Sequence, residues 1–247
     1  RMPGVDRARY MDAYEVGRLR RATQARARRD RLLGRSAGVL AWAVVDTALQ
    51  TGLRVSELAR LTVGDLDPDR GDGGALRIWR HKRRRPVRET LAISRSLAAH
   101  LRDFLAWKVS RGQSPAPAAA LFVGKRGPLG VTGLQLVWKR CIAAAGLPRT
   151  LSIHAARHTL AVHLLRRTGN LRQVQKQLGH THPAVTANQY ADVSFEDMQA
   201  GLNGLYETLE RGPSTLPAAN TQPARVCTSA DAWPWRSPDR ILRGLAR

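Results

Sequence analysis

Apolar residues in the first part of the chain recur with spacings that predict helices, followed by one extended segment. Residues 1–35 carry a sparse apolar face on an Arg-dense background, which predicts a helix. Residues 37–51 are apolar on nearly every side and predict a buried helix that Gly52 ends. A short helix should follow at 55–61. Residues 75–93 then alternate imperfectly around a basic tip, which predicts two paired strands.

The middle of the chain returns to helical spacing after these strands. Pro86 restricts the second strand to an edge, because proline donates no ladder hydrogen bond. Ser94 is expected to cap a helix that runs to about Ser110. The composition of residues 112–120 indicates a loop. Further helices are predicted at 132–146, 154–168, 170–178 and 183–191, with breaks at glycines.

The end of the chain combines an amphipathic segment with an irregular tail. Residues 194–210 carry a single apolar stripe at 3–4 spacing, which is typical of a packed helix. From 212 to about 231 the chain is rich in Pro, Thr, Ala and Ser, which indicates a linker or disorder. The patterns together predict a mostly α fold with a small antiparallel β-sheet, an α+β class, over residues 1–210. Residues 211–247 are expected to form a linker or disordered tail.

The charge of the chain indicates what it binds. Lys and Arg number 41 against 19 Asp and Glu, for a formal charge of +22 and a pI near 11.6. Such an excess favours a polyphosphate partner, above all nucleic acid. No apolar run approaches the ~20 residues of a membrane span, and no signal peptide is evident. Only Cys141 and Cys227 are present, so a disulfide scaffold is excluded and a cytoplasmic location is expected.

Arg54 stands among apolar neighbours directly after the Gly52 turn. A buried guanidinium without a partner is very costly, so Arg54 should have one. Glu57 lies three residues on, where a helix would bring the two side chains together. This spacing alone is compatible with a purely structural pair or with an arginine oriented for binding.

The segment HAARH places three further candidates at the start of a predicted helix. His154 and Arg157 stand at i and i+3, so they share a helix face, and His158 comes next. His154 and His158 have the i, i+4 spacing of a zinc pair, but the glutamate that would serve as general base is absent. Ordinary surface histidines therefore remain the simpler interpretation, and no metal or other cofactor is expected.

His180 and Tyr190 follow in the segment LGHTHPAVTANQY. A tyrosine is usually a packing residue. Close to Arg54, Arg157 and histidines, however, its phenol would face a cationic pocket that lowers its pKa from about 10. Such a pocket also fits a phosphodiester, because guanidinium groups bind the non-bridging oxygens while the phenol attacks phosphorus.

These three segments resemble the catalytic motifs of the tyrosine recombinases, the phage integrase family. The matching stretches are TGLRVSEL (51–58), HAARHTLAVHLL (154–165) and LGHTHPAVTANQY (178–190), in the family's order and at similar separations. The resemblance covers roughly residues 8–210. Ala156 departs from it, since the family usually has a larger apolar residue there, and this indicates a change in packing.

The resemblance implies a role for each matching residue. Arg54 and Arg157 would clamp the scissile phosphate of double-stranded DNA and stabilise its transition state. His154 would share proton handling or bind the phosphate, and His180 would donate to a non-bridging oxygen. Tyr190 would be the nucleophile, forming a 3′-phosphotyrosyl link and releasing a 5′-hydroxyl without metal or nucleotide.

Lys82 is expected to be the general acid for the leaving oxygen. The family's lysine lies on a β-hairpin tip, often beside glycines, whereas the tip here is RHKRRRPV. Arginine cannot readily release a proton, so a single lysine within this arginine run fits the requirement. A lysine that only contacts phosphate is the alternative.

The resemblance also implies a wider organisation and leaves functional alternatives open. The family usually carries a helical core-binding domain ahead of the catalytic one, and its absence here suggests a fragment, a truncated gene or reliance on a partner, with weaker and less selective DNA binding. Assembly as a homo-oligomer, a tetramer on DNA, is expected, with no small-molecule substrate. The 194–210 stripe could dock in cis or on a neighbouring protomer.

A topoisomerase IB-like nicking-resealing enzyme and a helix-turn-helix regulator built on residues 170–190 are the alternative functions.

Overall fold

Helices make up most of the structure, a computed structural model that describes residues 10–82, 85–179 and 199–206, with the backbone alone at positions 81 and 82. They are α1 (Ala13–Leu32), α2 (Ala37–Thr51), α3 (Val55–Ala59), α4 (Arg95–Ser110), α5 (Val131–Ala144), α6 (Ile153–Thr168) and α7 (Leu171–Leu178). A further helical stretch covers residues 199–206. Within these ranges, none of the helices combines the length and the apolar character needed to cross a bilayer.

Two small antiparallel sheets accompany the helices. The larger sheet has the order β1-β2-β3, and β4 pairs with β5 in a separate ribbon. The strands are β1 (Leu66–Asp67), β2 (Ala75–Lys82), β3 (Arg85–Ala92), β4 (Val123–Gly124) and β5 (Gly127–Pro128). The predicted strand pair and the edge position of Pro86 are confirmed. The two-residue strands were not predicted, because two positions cannot show an alternating pattern.

Helix α2 forms the centre of the core. All its residues from Gly38 to Thr51 are buried, and α1, α4, α5 and α6 pack around it. It ends at Gly52, whose φ of +63° lies in the left-handed region. A Cβ on Gly52 would also come within 2.7 Å of Leu178 Cδ2. The prediction of a buried helix ended by Gly52 is therefore confirmed, and close packing against α7 is a second reason for the glycine.

Local capping sets where several helices begin. The Asp12 carboxylate accepts from the Glu15 N–H at 2.8 Å, which starts α1 well inside the Arg-dense segment. Ser94 accepts from the Leu97 N–H at 3.2 Å and caps α4 as expected. Asn170 caps α7 in the same way. The predicted helices at 132–146, 154–168 and 170–178 correspond to α5, α6 and α7.

The helical stretch at 199–206 packs against its own chain. Leu202 and Tyr206 join an apolar cluster with residues of α6 and α7. The Gln199 amide donates to the Gly74 carbonyl at 3.0 Å, and the Tyr206 hydroxyl donates to the Leu49 carbonyl at 2.6 Å. This part of the predicted 194–210 helix therefore docks in cis in the single chain. The predicted helix at 183–191 and the tail at 211–247 lie outside the described residues.

Candidate active site

Arg54 and Glu57 form the predicted pair at the start of α3. Arg54 is the N-cap residue of this helix. Its guanidinium donates to Glu57 Oε1 at 3.0 Å, and its N–H donates to Glu57 Oε2 at 2.8 Å. The Glu57 side chain is 7% exposed and that of Arg54 is 47% exposed. The predicted pair is thus present, with the carboxylate buried and the long arginine side chain carrying its charge to the surface.

Arg157 lies beside this pair and is buried in α6. Its Nη1 donates to the Gly52 carbonyl at 2.9 Å, and its Nη2 donates to the Leu178 carbonyl at 2.7 Å. One guanidinium therefore ties together the C-terminal ends of α2 and α7, where carbonyls lack helical partners. These bonds use two of the five donors of an arginine.

Arg80 of β2 completes the cluster and was not singled out from the sequence. Its side chain is 2% exposed. It donates to Glu89 Oε2 at 2.8 Å and to the Gln177 carbonyl at 3.0 Å, and its Nε lies 3.7 Å from Glu57 Oε1. A signal was available, because strand alternation places position 80 on the same inward face as the buried residues Leu76 and Ile78.

Cations outnumber carboxylates in this cluster. Among the described side chains in mutual contact or in electrostatic range, the guanidinium groups of Arg54, Arg80 and Arg157 face the carboxylates of Glu57 and Glu89. Burial, with the charges of Arg54 and Arg80, lowers the pKa of Arg157 to about 10, and Glu57 opposes this shift. An anion at the exposed Arg54 edge would relieve the repulsion between the arginines, and a phosphodiester matches guanidinium geometry.

The backbone brings Lys82 and Gly179 towards this cluster. Lys82 ends β2 and pairs with Arg85 across the hairpin. Alternation puts positions 80 and 82 on the same face of the strand. Gly179, which directly precedes His180, has a φ of +64°, and a Cβ there would lie only 2.1 Å from Arg80 Nη1. His180 and Tyr190 themselves lie outside the described residues.

His154 and His158 occupy the exposed side of the first turns of α6, whereas Arg157 is buried. His154 and Arg157 are neighbours at i and i+3 on α6, but His154 faces the solvent and Arg157 faces the core. Within the described part of the chain, no three His, Cys, Asp or Glu side chains form a group that could hold a metal ion. Ala156, the departure from the family pattern, is a core packing position.

Comparison with known proteins places these motifs in a family. The model of the phage integrase family matches residues 9–197. The chain is 34% identical over 145 residues to the tyrosine recombinase XerC of Nitrobacter winogradskyi, covering 58% of this chain and 43% of that protein. It is 32% identical over 165 residues to XerC of Shewanella amazonensis, covering 66% and 52%. The chain thus spans about half the length of the curated relatives that it matches.

Solved structures of recombinases share the fold. The XerA recombinase superposes with a TM-score of 0.55 at 20% identity, covering 83% of this chain and 66% of that one. The XerH site-specific recombinase bound to its difH substrate, in a pre-cleavage complex, superposes with a TM-score of 0.54 at 23% identity, covering 70% and 48%. These likenesses confirm the predicted fold class, which is mostly helical with small antiparallel sheets.

Proposed function

The chain belongs to the phage integrase family, and on that premise we propose that it is the catalytic part of a site-specific DNA recombinase. It would cut and rejoin double-stranded DNA through a 3′-phosphotyrosyl intermediate and act as a homo-oligomer, a tetramer on DNA. The observation that carries the proposal is that Arg157, from a distant part of the chain, lies within electrostatic range of the Arg54–Glu57 pair, where the described arginines outnumber the carboxylates.

The arginine cluster supplies the binding step. Arg54, half exposed at the edge of the cluster, is the guanidinium that can reach a DNA phosphate without unfolding anything. Arg157 is held by two carbonyls, so its position is fixed before substrate arrives. Charges fixed in advance stabilise a pentavalent phosphorane-like transition state without reorganisation at the moment of reaction.

The remaining residues of the proposed site act in the cleavage step. The Tyr190 oxygen attacks phosphorus, the new O–P bond forms as the P–O5′ bond breaks, and the phenol loses its proton. His154, exposed at the start of α6, shares in moving that proton or binds the phosphate, and His180 donates to a non-bridging oxygen. The intermediate keeps the energy of the ester, so a 5′-hydroxyl from another strand can reverse the attack and complete strand exchange.

Lys82 protonates the leaving 5′-oxygen in this proposal. The support is its place on β2, two residues after Arg80, on the strand face that meets the arginine cluster. An ammonium group can release a proton to an alkoxide, which a guanidinium does poorly.

A trapping experiment tests the proposal. Wild-type protein is incubated with a pool of random-sequence duplexes that carry a nick, so that a short strand diffuses away after cleavage and the adduct accumulates. We expect a covalent protein–DNA adduct, with the nucleotide on the Tyr190 peptide after nuclease digestion and mass spectrometry. Tyr190→Phe should give no adduct, since it lacks the attacking oxygen. An adduct that persists in Tyr190→Phe would overturn the assignment of the nucleophile, and no adduct with wild type would overturn the proposed activity.

A further inference from the structure

Glu57 is shared unequally between two arginines. Its Oε1 accepts from Arg54 Nη1 at 3.0 Å, whereas Arg80 Nε stands 3.7 Å from the same oxygen, beyond hydrogen-bond distance. Arg80 Nε is buried and has no hydrogen-bond partner within the described residues. A buried donor left without a partner is uncommon in folded proteins.

The proposed function creates a problem for this carboxylate. If Arg54 turns its Nη1 to a DNA phosphate, that nitrogen leaves Glu57 Oε1. Glu57 is buried, and an uncompensated buried carboxylate is strongly unfavourable. Without a second cation that hydrogen-bonds to Glu57, the cost of releasing Arg54 would oppose the binding of DNA.

We propose that Arg80 is a positioning residue that takes over the Glu57 carboxylate when Arg54 engages the scissile phosphate. The inference rests on the proposed function and adds to it a device that lowers the cost of releasing Arg54. The movement needed is small, because Oε1 has to approach Nε by less than an ångström from 3.7 Å to form a hydrogen bond. Glu57 keeps its bond to the Arg54 N–H, so the carboxylate swings about a fixed point.

The other contacts of Arg80 hold it in place for this role. Its two terminal nitrogens are fixed by Glu89 and by the Gln177 carbonyl. Gly179 leaves room for its guanidinium. Arg80 therefore stays where it is while Glu57 moves.

A double-mutant cycle between Arg80 and Glu57 tests the proposal. In Arg80→Met, Glu57 keeps its hydrogen bond to Arg54 and has only Arg157 at longer range as a further cation among the described residues, so Arg54 is withheld from DNA. The salt dependence of binding to random-sequence duplex, plotted on logarithmic scales, should become shallower by about one, the contribution of one phosphate contact. Adduct formation at saturating DNA should slow about 10–100-fold. Arg80→Lys should fall between Arg80→Met and wild type, because it keeps the charge and loses the guanidinium geometry.

The same substitution of Arg80 in a Glu57→Gln background decides whether Arg80 positions Glu57 or has only a structural role. Glu57→Gln removes the charge that holds Arg54 and slows adduct formation somewhat by itself. In that background Arg80→Met should leave the salt slope unchanged and should change the rate by less than about 3-fold. An equal loss in both backgrounds would overturn the proposal, because the effect of Arg80 would not pass through Glu57.

Lys108→Met is the matched control for loss of a buried cation. Lys108 donates to the Ala120 and Leu121 carbonyls at 2.6 and 2.7 Å, apart from the cluster. The substitution Lys108→Met should lower the melting temperature and leave unchanged both the salt slope of DNA binding and the rate of adduct formation by the folded protein. DNA binding is measured independently of cleavage. The proposed role of Arg80 can therefore fail while wild type still forms an adduct. If wild type forms no adduct while the salt slopes behave as expected, the result counts only against the proposed function.

Discussion

Two clusters of buried charge in this chain are built on opposite principles. In the first, around Glu57, the described arginines outnumber the described carboxylates and Arg54 faces solvent. In the second, the Asp46 carboxylate is 1% exposed and is surrounded by Arg20 Nη2 at 3.1 Å and His100 Nδ1 at 2.7 Å. The rings of Trp42 and Tyr206 lie near the Arg20 guanidinium and close this second cluster.

The difference lies in what each cluster leaves unsatisfied. Asp46 also accepts from the Gln50 amide at 3.0 Å, so its charge is met from several sides and no external ion is required. Around Glu57 an excess of positive charge remains, with Arg80 Nε lacking a hydrogen-bond partner in the described residues. A closed, balanced cluster contributes to stability, whereas an open, unbalanced one is suited to bind an anion.

The largest effect should come from the closed cluster. Asp46→Asn removes the buried charge that pairs with Arg20 and His100, and we expect the free energy of unfolding to fall by about 3–5 kcal/mol. Chemical denaturation measures this. The adduct rate of the molecules that remain folded should not change. Asp69→Asn, which removes an 83% exposed carboxylate paired with Arg102, is the control and should cost under about 1 kcal/mol.

The same substitution has a pH signature. Burial alone would raise the pKa of Asp46, but Arg20, His100 and Gln50 outweigh burial and lower it below the ordinary 3.8. A lowered carboxyl pKa contributes stability above that ordinary value, and the contribution is lost as pH falls through the folded value. Below about pH 4, wild type should therefore lose stability more steeply with acid than Asp46→Asn does. Equal slopes would show that the Asp46 charge is not stabilised by its neighbours.

A substitution in the open cluster around Glu57 should lower the rate of adduct formation. Arg157→Lys keeps the charge, but an ammonium cannot hold the Gly52 and Leu178 carbonyls and face a phosphate at once. We expect adduct formation at saturating DNA to fall about 10²–10³-fold. Single-turnover trapping with a nicked duplex measures the rate, and circular dichroism monitors folding. A rate close to that of wild type would remove Arg157 from the catalytic set.

A smaller effect is expected where the 199–206 helix meets the closed cluster. Tyr206→Phe deletes the hydroxyl that donates to the Leu49 carbonyl at 2.6 Å and keeps the ring near Arg20. Losing this hydrogen bond should cost about 1 kcal/mol of unfolding free energy. A cost near zero in chemical denaturation would mean that the helix is held by its apolar contacts alone.

The smallest effect should come from charge at the surface. Arg31 bonds Asp103 at 2.9 Å, but the two side chains are 44% and 60% exposed. Arg31→Gln should change the unfolding free energy by less than about 1 kcal/mol, and salt should reduce the difference further. A larger loss would show that burial is not what separates the two clusters from ordinary ion pairs.

Local sequence determined much of the fold. The buried helix at 37–51, its stop at Gly52, the cap at Ser94 and the hairpin within 75–93 follow from periodicity and from residues with special backbone preferences. The pairing of Arg54 with Glu57 also followed from spacing, because both belong to one turn of helix. The two-residue strands were beyond reach, since they form only where a partner strand happens to lie.

The sequence by itself thus determined the helices, the hairpin and the three motifs, because each depends on neighbours within a few residues. Tertiary structure decided that Glu57 rather than Arg54 is buried, that Arg80 joins the site, and that Arg157 fastens the ends of α2 and α7. These facts depend on contacts between residues roughly 20 to 105 positions apart. Strand alternation marks position 80 as inward-facing, but no local pattern records which residues it meets, because charge pairing at these distances exists only once the helices have packed.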